Sequence, residues 1–132
     1  MTSAADIHGA VFKNGSAIFL ARVLGADGDP IAPTDITAAK YTVYLLDEND
    51  PDASTAISGH TDVAVAVAAL IESSLQTGEL WQVDTTGYNF KHELDVSASQ
   101  AFAAAGRHYR IVFELTPYEG QVIQVRFRVH AI

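Results

Sequence analysis

The sequence predicts a mainly β protein, a single antiparallel β-sandwich over residues 1–132 with one short helix. Three observations carry this. Late in the chain the apolar residues fall on alternate positions, Tyr109, Ile111, Phe113 and Leu115, then Ile123, Val125, Phe127 and Val129, which is the period of a half-buried strand. Turn signals built on Gly, Asn, Asp and Pro separate a series of short strand-like runs, the spacing expected of a sandwich. Helical periodicity is confined to one stretch. At 132 residues the chain buries roughly 68–70% of its unfolded surface, enough for one core, and no shift in composition marks a second.

In chain order, Val11 to Lys13 and Ser16 to Phe19 flank Asn14-Gly15. Asn-Gly supplies the two positive-φ residues of a type I′ turn, so a β-hairpin is expected here. Asn14-Gly15-Ser16 also reads as a glycosylation sequon, and with no secretory signal the turn reading is preferred. The second run reaches Val23-Leu24 and breaks at the turn cluster Gly25 to Pro30. A strand is expected from Lys40 to Leu46, with Tyr41, Val43 and Leu45 on one face, ending in the acidic loop Asp47 to Asp52. Residues 61–76 carry both periods. Val63, Val65 and Val67 alternate, while Val67, Leu70, Ile71 and Leu75 recur at helical spacing in an Ala-rich stretch. A strand giving way to one or two helical turns is expected. Trp81 to Val83 and Tyr88 to His92 flank the turn Asp84 to Gly87, with Gly placed for a left-handed residue. Ser97 to Ala105 is expected to hold a helical turn closed by Gly106.

The C-terminal hairpin fixes its own register. Directly paired residues share a face, so two odd-numbered core sets require pairs that sum to an even number. A three-residue loop, Tyr118-Glu119-Gly120, meets this with Gly120 in the left-handed slot of a bulge. Phe113 then pairs with Val125 and Ile111 with Phe127 inside. His108 lies opposite His130 and Arg110 opposite Arg128 outside.

Composition excludes several chemistries. There is no Cys, which removes thiol catalysis, zinc–thiolate sites and Fe–S clusters. The net charge is −8, which argues against nucleic acid, whose phosphates need clustered Lys and Arg. That charge is uneven: residues 1–84 hold 3 basic and 12 acidic side chains, a net −9, and residues 85–132 hold 5 and 4, a net +1. Complementary patches, and so self-association or docking on another protein, are expected from the asymmetry. The start, Met1 to Asp6, lacks the basic and apolar regions of a secretory signal. The richest apolar run, Val63 to Ile71, is nine residues long, well short of the roughly 18 of a membrane span. The chain is therefore expected in the cytoplasm or in a larger soluble particle, with no membrane partner.

Two groups of residues stand out as candidate sites. His108, Arg110, Arg126, Arg128 and His130 share the outward face of the hairpin. Like charges directly opposed are destabilising unless something answers them, so these residues are candidate partner-binding residues; a solvated face with splayed guanidinium groups is the alternative. Trp81, Tyr88 and Phe90 cluster around one turn, either as an aromatic platform for a sugar or a protein, or as a plug at the end of the sandwich. Asp47 to Asp52, with Asp27 and Asp29, would offer Ca²⁺ carboxylates but lacks EF-hand ligand order, with Pro51 and Asp52 at ligand and Gly positions. A solvated loop tip is the better reading. The five His are scattered, no nucleophile or phosphate motif occurs, and no metal, cofactor or catalytic residue is expected.

A strand ending in Asp27-Gly28-Asp29-Pro30, then Gly106-Arg107-His108-Tyr109 leading into a hairpin with Thr116, Pro117 and Gly120, resembles the immunoglobulin-like β-sandwich modules of tailed-phage virion proteins. The segment Leu75-Gln76-Thr77, Trp81, Asp84 and Gly87 to Phe90 is similar to small bacterial and prophage-type proteins. The resemblance implies an immunoglobulin-like sandwich and a non-catalytic structural role in capsid decoration, neck, tail or baseplate. Its partners would be other virion proteins or copies of itself, in a homo-oligomer or larger assembly. A carbohydrate-binding or adhesion module using Trp81, Tyr88 and Phe90 is the alternative.

Overall fold

The computed structural model describes residues 6–25, 28–50, 53–78, 81, 84–97 and 99–132, with backbone alone for residues 6–8. Ala26, Asp27, Pro51, Asp52, Gln82 and Val83, which figure in the expectations above, lie outside the described residues, as do Met1 to Ala5. The elements run β1 (Asp6–Val11), β2 (Ile18–Ala21), a 3-10 turn (Pro33–Asp35), β3 (Ile36–Leu46), β4 (Ser54–Ala56), β5 (Val63–Val65), α1 (Val67–Leu70), β6 (Ile71–Gln76), β7 (Tyr88–Glu93), β8 (His108–Pro117) and β9 (Ile123–Ala131). Two sheets form, β1-β9-β8-β3-β4 with β5 also on β3, and β2-β7-β6. The mainly β sandwich with one short helix is thus the observed architecture. The orders β3-β8-β9 and β2-β7-β6 reproduce the C–F–G and B–E–D sheets of an immunoglobulin-like sandwich.

A second mark of that arrangement lies at the start of β8. The Tyr109 hydroxyl accepts the Ala104 N–H at 3.0 Å, the tyrosine corner that closes the connection into this strand. Ile111, two residues on and fully buried, stands where antibody domains carry the second cysteine of the inter-sheet disulfide. In its place an aromatic cluster centred on Phe113 joins the layers. Phe113 meets Phe90 at 4.8 Å and Phe19 at 6.0 Å from the small sheet, and Tyr41 at 5.7 Å and Phe127 at 5.8 Å from its own. Most of these contacts are edge-to-face, the geometry aromatic quadrupoles prefer.

The C-terminal hairpin has the register its parity demands, Ile111 opposite Phe127, Phe113 opposite Val125, Arg110 opposite Arg128 and His108 opposite His130. Gly120 is left-handed at φ 98. The connection is wider than expected, because Tyr118–Val122 lie outside both strands. On β3, Tyr41 and Val43 are buried and Leu45 packs against the core, as expected.

The Asn14-Gly15 hairpin does not form. A turn exists, with Gly15 N–H donating to Phe12 O at 2.8 Å, but its central residues are Lys13 and Asn14, and only Asn14 has positive φ (58°). That is a type II pattern and not the doubly left-handed type I′. The turn carries the chain from one sheet to the other: β1 pairs in parallel with β9, so the larger sheet is not purely antiparallel, and β2 pairs with β7. Each strand buries its apolar residue, Val11 or Phe19, in its own layer, which a two-stranded hairpin would not permit.

Residues 63–70 run from strand into one helical turn, as the mixed periodicity indicates, and Leu70 is fully buried. No second turn follows, because Ile71–Gln76 return to strand and pair with β7. Between Ser97 and Gly106 the described residues contain no helix. Their backbone groups go elsewhere: Asn14 N–H donates to Phe102 O and Gly106 N–H to Ala131 O, while Ala101 and Phe102 plug that end of the core.

His92 of β7 lies 5.3 Å from Phe113 and 5.2 Å from Tyr41. Burial pushes its imidazole below the ordinary value, against a smaller upward pull from Glu93. The unfolded chain takes up this proton near pH 6.5 and the folded chain resists it, so stability present above about pH 6.5 falls as pH drops toward the folded pKa. Urea midpoints for the parent and His92→Leu should therefore differ in pH dependence between about pH 7.5 and 5.5, with the variant flatter. Phe113→Ala should cost about 3–5 kcal/mol in the same measurement.

Candidate functional site

The outward face of the six-stranded sheet gathers the basic residues from two neighbouring strands. His108, Arg110, Arg126 and Arg128 are half-buried and His130 is exposed. The imidazoles of His108 and His130 stack at 4.6 Å and 14°. Arg110 and Arg128 face each other across β8 and β9, and Arg126 faces Val112. The Nε atoms of Arg110 and Arg126 are shielded from water, so their aliphatic stems lie along the sheet. Among the described residues no carboxylate forms an ion pair with Arg128.

β3 widens this face. Tyr44 pairs with Arg110, Thr42 with Val112 and Lys40 with Glu114. Lys40 is answered locally, by Asp62 at 3.2 Å and Glu114 at 3.4 Å, and these carboxylates, Asp62 foremost, raise its pKa. The surface is therefore a flat patch of Tyr44, Val112 and three arginines, with its lysine already paired. Sequence reasoning found the five residues of the hairpin and missed Tyr44 and Val112. The signal was available, because the odd positions of β3 face the core and its even positions must share the arginines' side.

The aromatic group is placed differently from a platform. Phe90 is fully enclosed in the core and Tyr88 is buried. Trp81 is half-buried, 5.6 Å from Tyr88, and its indole N–H donates to Asp84 Oδ1 at 2.9 Å. These three side chains present no common exposed surface. Their turn is a structural knot: Asp84 also accepts from Thr86 N–H and Gly87 N–H, each at 3.0 Å, and pairs with Arg22 at 2.7 Å. These partners, the Gly87 N–H first and then the Trp81 indole and Arg22, hold the Asp84 carboxyl well below the usual carboxylate range. Gly87 at φ 107 is required here, since a Cβ would lie 2.5 Å from Gln76 O.

Other polar groups are occupied structurally. His60 is buried, with its Nε2 2.8 Å from Ser99 O and its Nδ1 2.8 Å from the Tyr41 hydroxyl. A carbonyl only accepts, so Nε2 carries the proton and Tyr41 donates to Nδ1. Asp47 Oδ1 caps its own loop by accepting the N–H groups of Asn49 and Asp50. Among the described residues no group of three or more His, Asp or Glu is placed to hold a metal ion, and no helix is long and apolar enough to cross a membrane.

No protein-family model, curated protein or solved structure matches this chain.

Arg128→Glu places a carboxylate opposite Arg110, so its stability to heat should stay within about 1 kcal/mol of the parent's. A large loss of stability on calorimetry would mean that Arg128 holds the fold.

Proposed function

We propose that this chain is a non-catalytic assembly module of a tailed-phage-type virion, a capsid decoration, neck, tail or baseplate component. It would act by binding an acidic protein surface through the outward face of its six-stranded sheet. The observation that carries this reading is Arg128, half-buried on the same face as Tyr44 and Val112, with no ion pair to a described carboxylate. A partner that brings a carboxylate supplies a counter-charge to Arg128 at the moment of binding. The flat Tyr44–Val112 centre supplies apolar contact, and arginine and tyrosine are the residue types that anchor protein interfaces.

Nucleic acid is a poor partner for the same face, because the remainder of the molecule repels a polyanion. The virion or the cytoplasm is the setting that accompanies this reading. The likeness of the Gly106 to Tyr109 strand entry and the Thr116 to Gly120 loop to phage sandwich modules supports the virion context.

Sedimentation across salt concentrations tests the reading. Raising salt from about 0.1 M to about 1 M shortens the Debye length from about 10 to about 3 Å. Self-association, or attachment to particles, should weaken over that range, and Arg128→Glu should weaken it about tenfold at low salt, a change of about 1.4 kcal/mol. A chain that stays monomeric throughout and attaches to no particle overturns the proposal.

A further inference from the structure

The turn between β1 and β2 joins Asn14 directly to Gly15, and the fold has a reason for each residue. Asn14 is left-handed at φ 58, a conformation that asparagine tolerates better than most side chains. A Cβ on Gly15 would stand 2.9 Å from Phe12 O, so only glycine fits without moving backbone. Asparagine is thermolabile, and most so before glycine, which leaves its own backbone nitrogen unshielded beside the asparagine amide. Asn14 is also exposed. The other two asparagines of the chain differ. Asn49 is followed by Asp50, and Asn89 is buried with its amide donating to Val23 O and Ile31 O.

We propose that Asn14 is a deamidation site whose rate is set by the fold and whose product loosens the crossover between the two sheets. The Gly15 nitrogen gives up its proton and bonds to Asn14 Cγ. The Cγ–Nδ2 bond breaks, and Nδ2 leaves with that proton as ammonia, closing a succinimide ring. Water then opens the ring to aspartate or to isoaspartate. In the folded chain the attacking nitrogen is engaged, because Gly15 N–H donates to Phe12 O at 2.8 Å. The turn must open locally before the ring can close. Isoaspartate adds one atom to the main chain between fixed points. On one side Lys13 N–H donates to Ile132 O and Asn14 N–H to Phe102 O, each at 2.8 Å. On the other, Ser16 Oγ donates to Leu94 O at 2.5 Å. The lengthened turn strains these anchors, whereas ordinary aspartate tolerates the left-handed conformation and keeps them.

Peptide mapping by mass spectrometry tests the site in the parent chain at mildly alkaline pH, folded and in guanidinium chloride. The peptide holding Asn14 should show the mass change of an NH2-to-OH exchange. It should do so about tenfold or more faster in denaturant, the factor that one lost hydrogen bond sets. Gly15→Ala, compared with the parent in denaturant where folding is not required, should slow the change severalfold. Equal rates in the folded and denatured chain overturn the proposal. So does an earlier change at Asn49 or Asn89, or a denatured Asn14 peptide that never changes. The aged chain is then refolded and its isoaspartyl fraction separated. That fraction should melt below the parent or fail to refold, while Asn14→Asp melts with the parent. An isoaspartyl fraction as stable as Asn14→Asp overturns the loosening of the crossover.

Discussion

The packing of Phe113 against Phe19 and Phe90 is the contact on which this sandwich depends. Without cysteines no disulfide joins the two sheets, and the apolar core packs them face to face. Aromatic pairs add about 0.5–1.5 kcal/mol each beyond the area they bury, and Phe113 sits at the junction of strands from both layers. Tyr109 and Ile111 flank it on β8, one bonded to Ala104 and the other sealed inside. One strand thus carries the corner, the centre of the core and, on its reverse side, the candidate binding residues.

Polar groups inside the fold do a different job: they fasten the connections. Asn89 is buried, accepts Val23 N–H at 2.7 Å and donates to Val23 O at 2.9 Å and Ile31 O at 3.1 Å. A side-chain amide stands in for a neighbouring strand and satisfies backbone groups that would be costly to bury alone. The β2–β3 connection is held to the core by this clamp, and the Asp84 turn is held to Arg22 beside it. At the other end His60 ties Ser99 to Tyr41. The loops that define both ends of the molecule are therefore positioned by buried hydrogen bonds. This is why an exposed group such as Tyr118 projects from a fixed base.

The outward face inherits its geometry from the same core. Once Ile111, Phe113 and Leu115 are committed inward, Arg110 and Val112 must point out, and β9 must set Arg126 and Arg128 beside them. The like-charge opposition is a by-product of a register that the core requires.

How far the sequence reached depended on the range of the interaction. Alternation over residues 107–131 fixed the hairpin, its register and the five outward residues, because side-chain parity in paired strands is local and has period two. The strand–helix step at 63–70 was also written locally. The Asn14-Gly15 turn was legible, but not the destinations of its arms, since parallel pairing with β9 is settled by residues more than a hundred positions away. The aromatic residues near Asp84 looked alike in sequence, and only packing against Phe113 and Phe127 placed Phe90 inside and left Trp81 at the rim. Likewise Tyr44 gained its place beside Arg110 from the strand laid next to it. The sequence by itself determined which face of each strand is apolar; the tertiary structure decided which faces and loop ends meet, because long-range burial and not local propensity chooses a strand's neighbour.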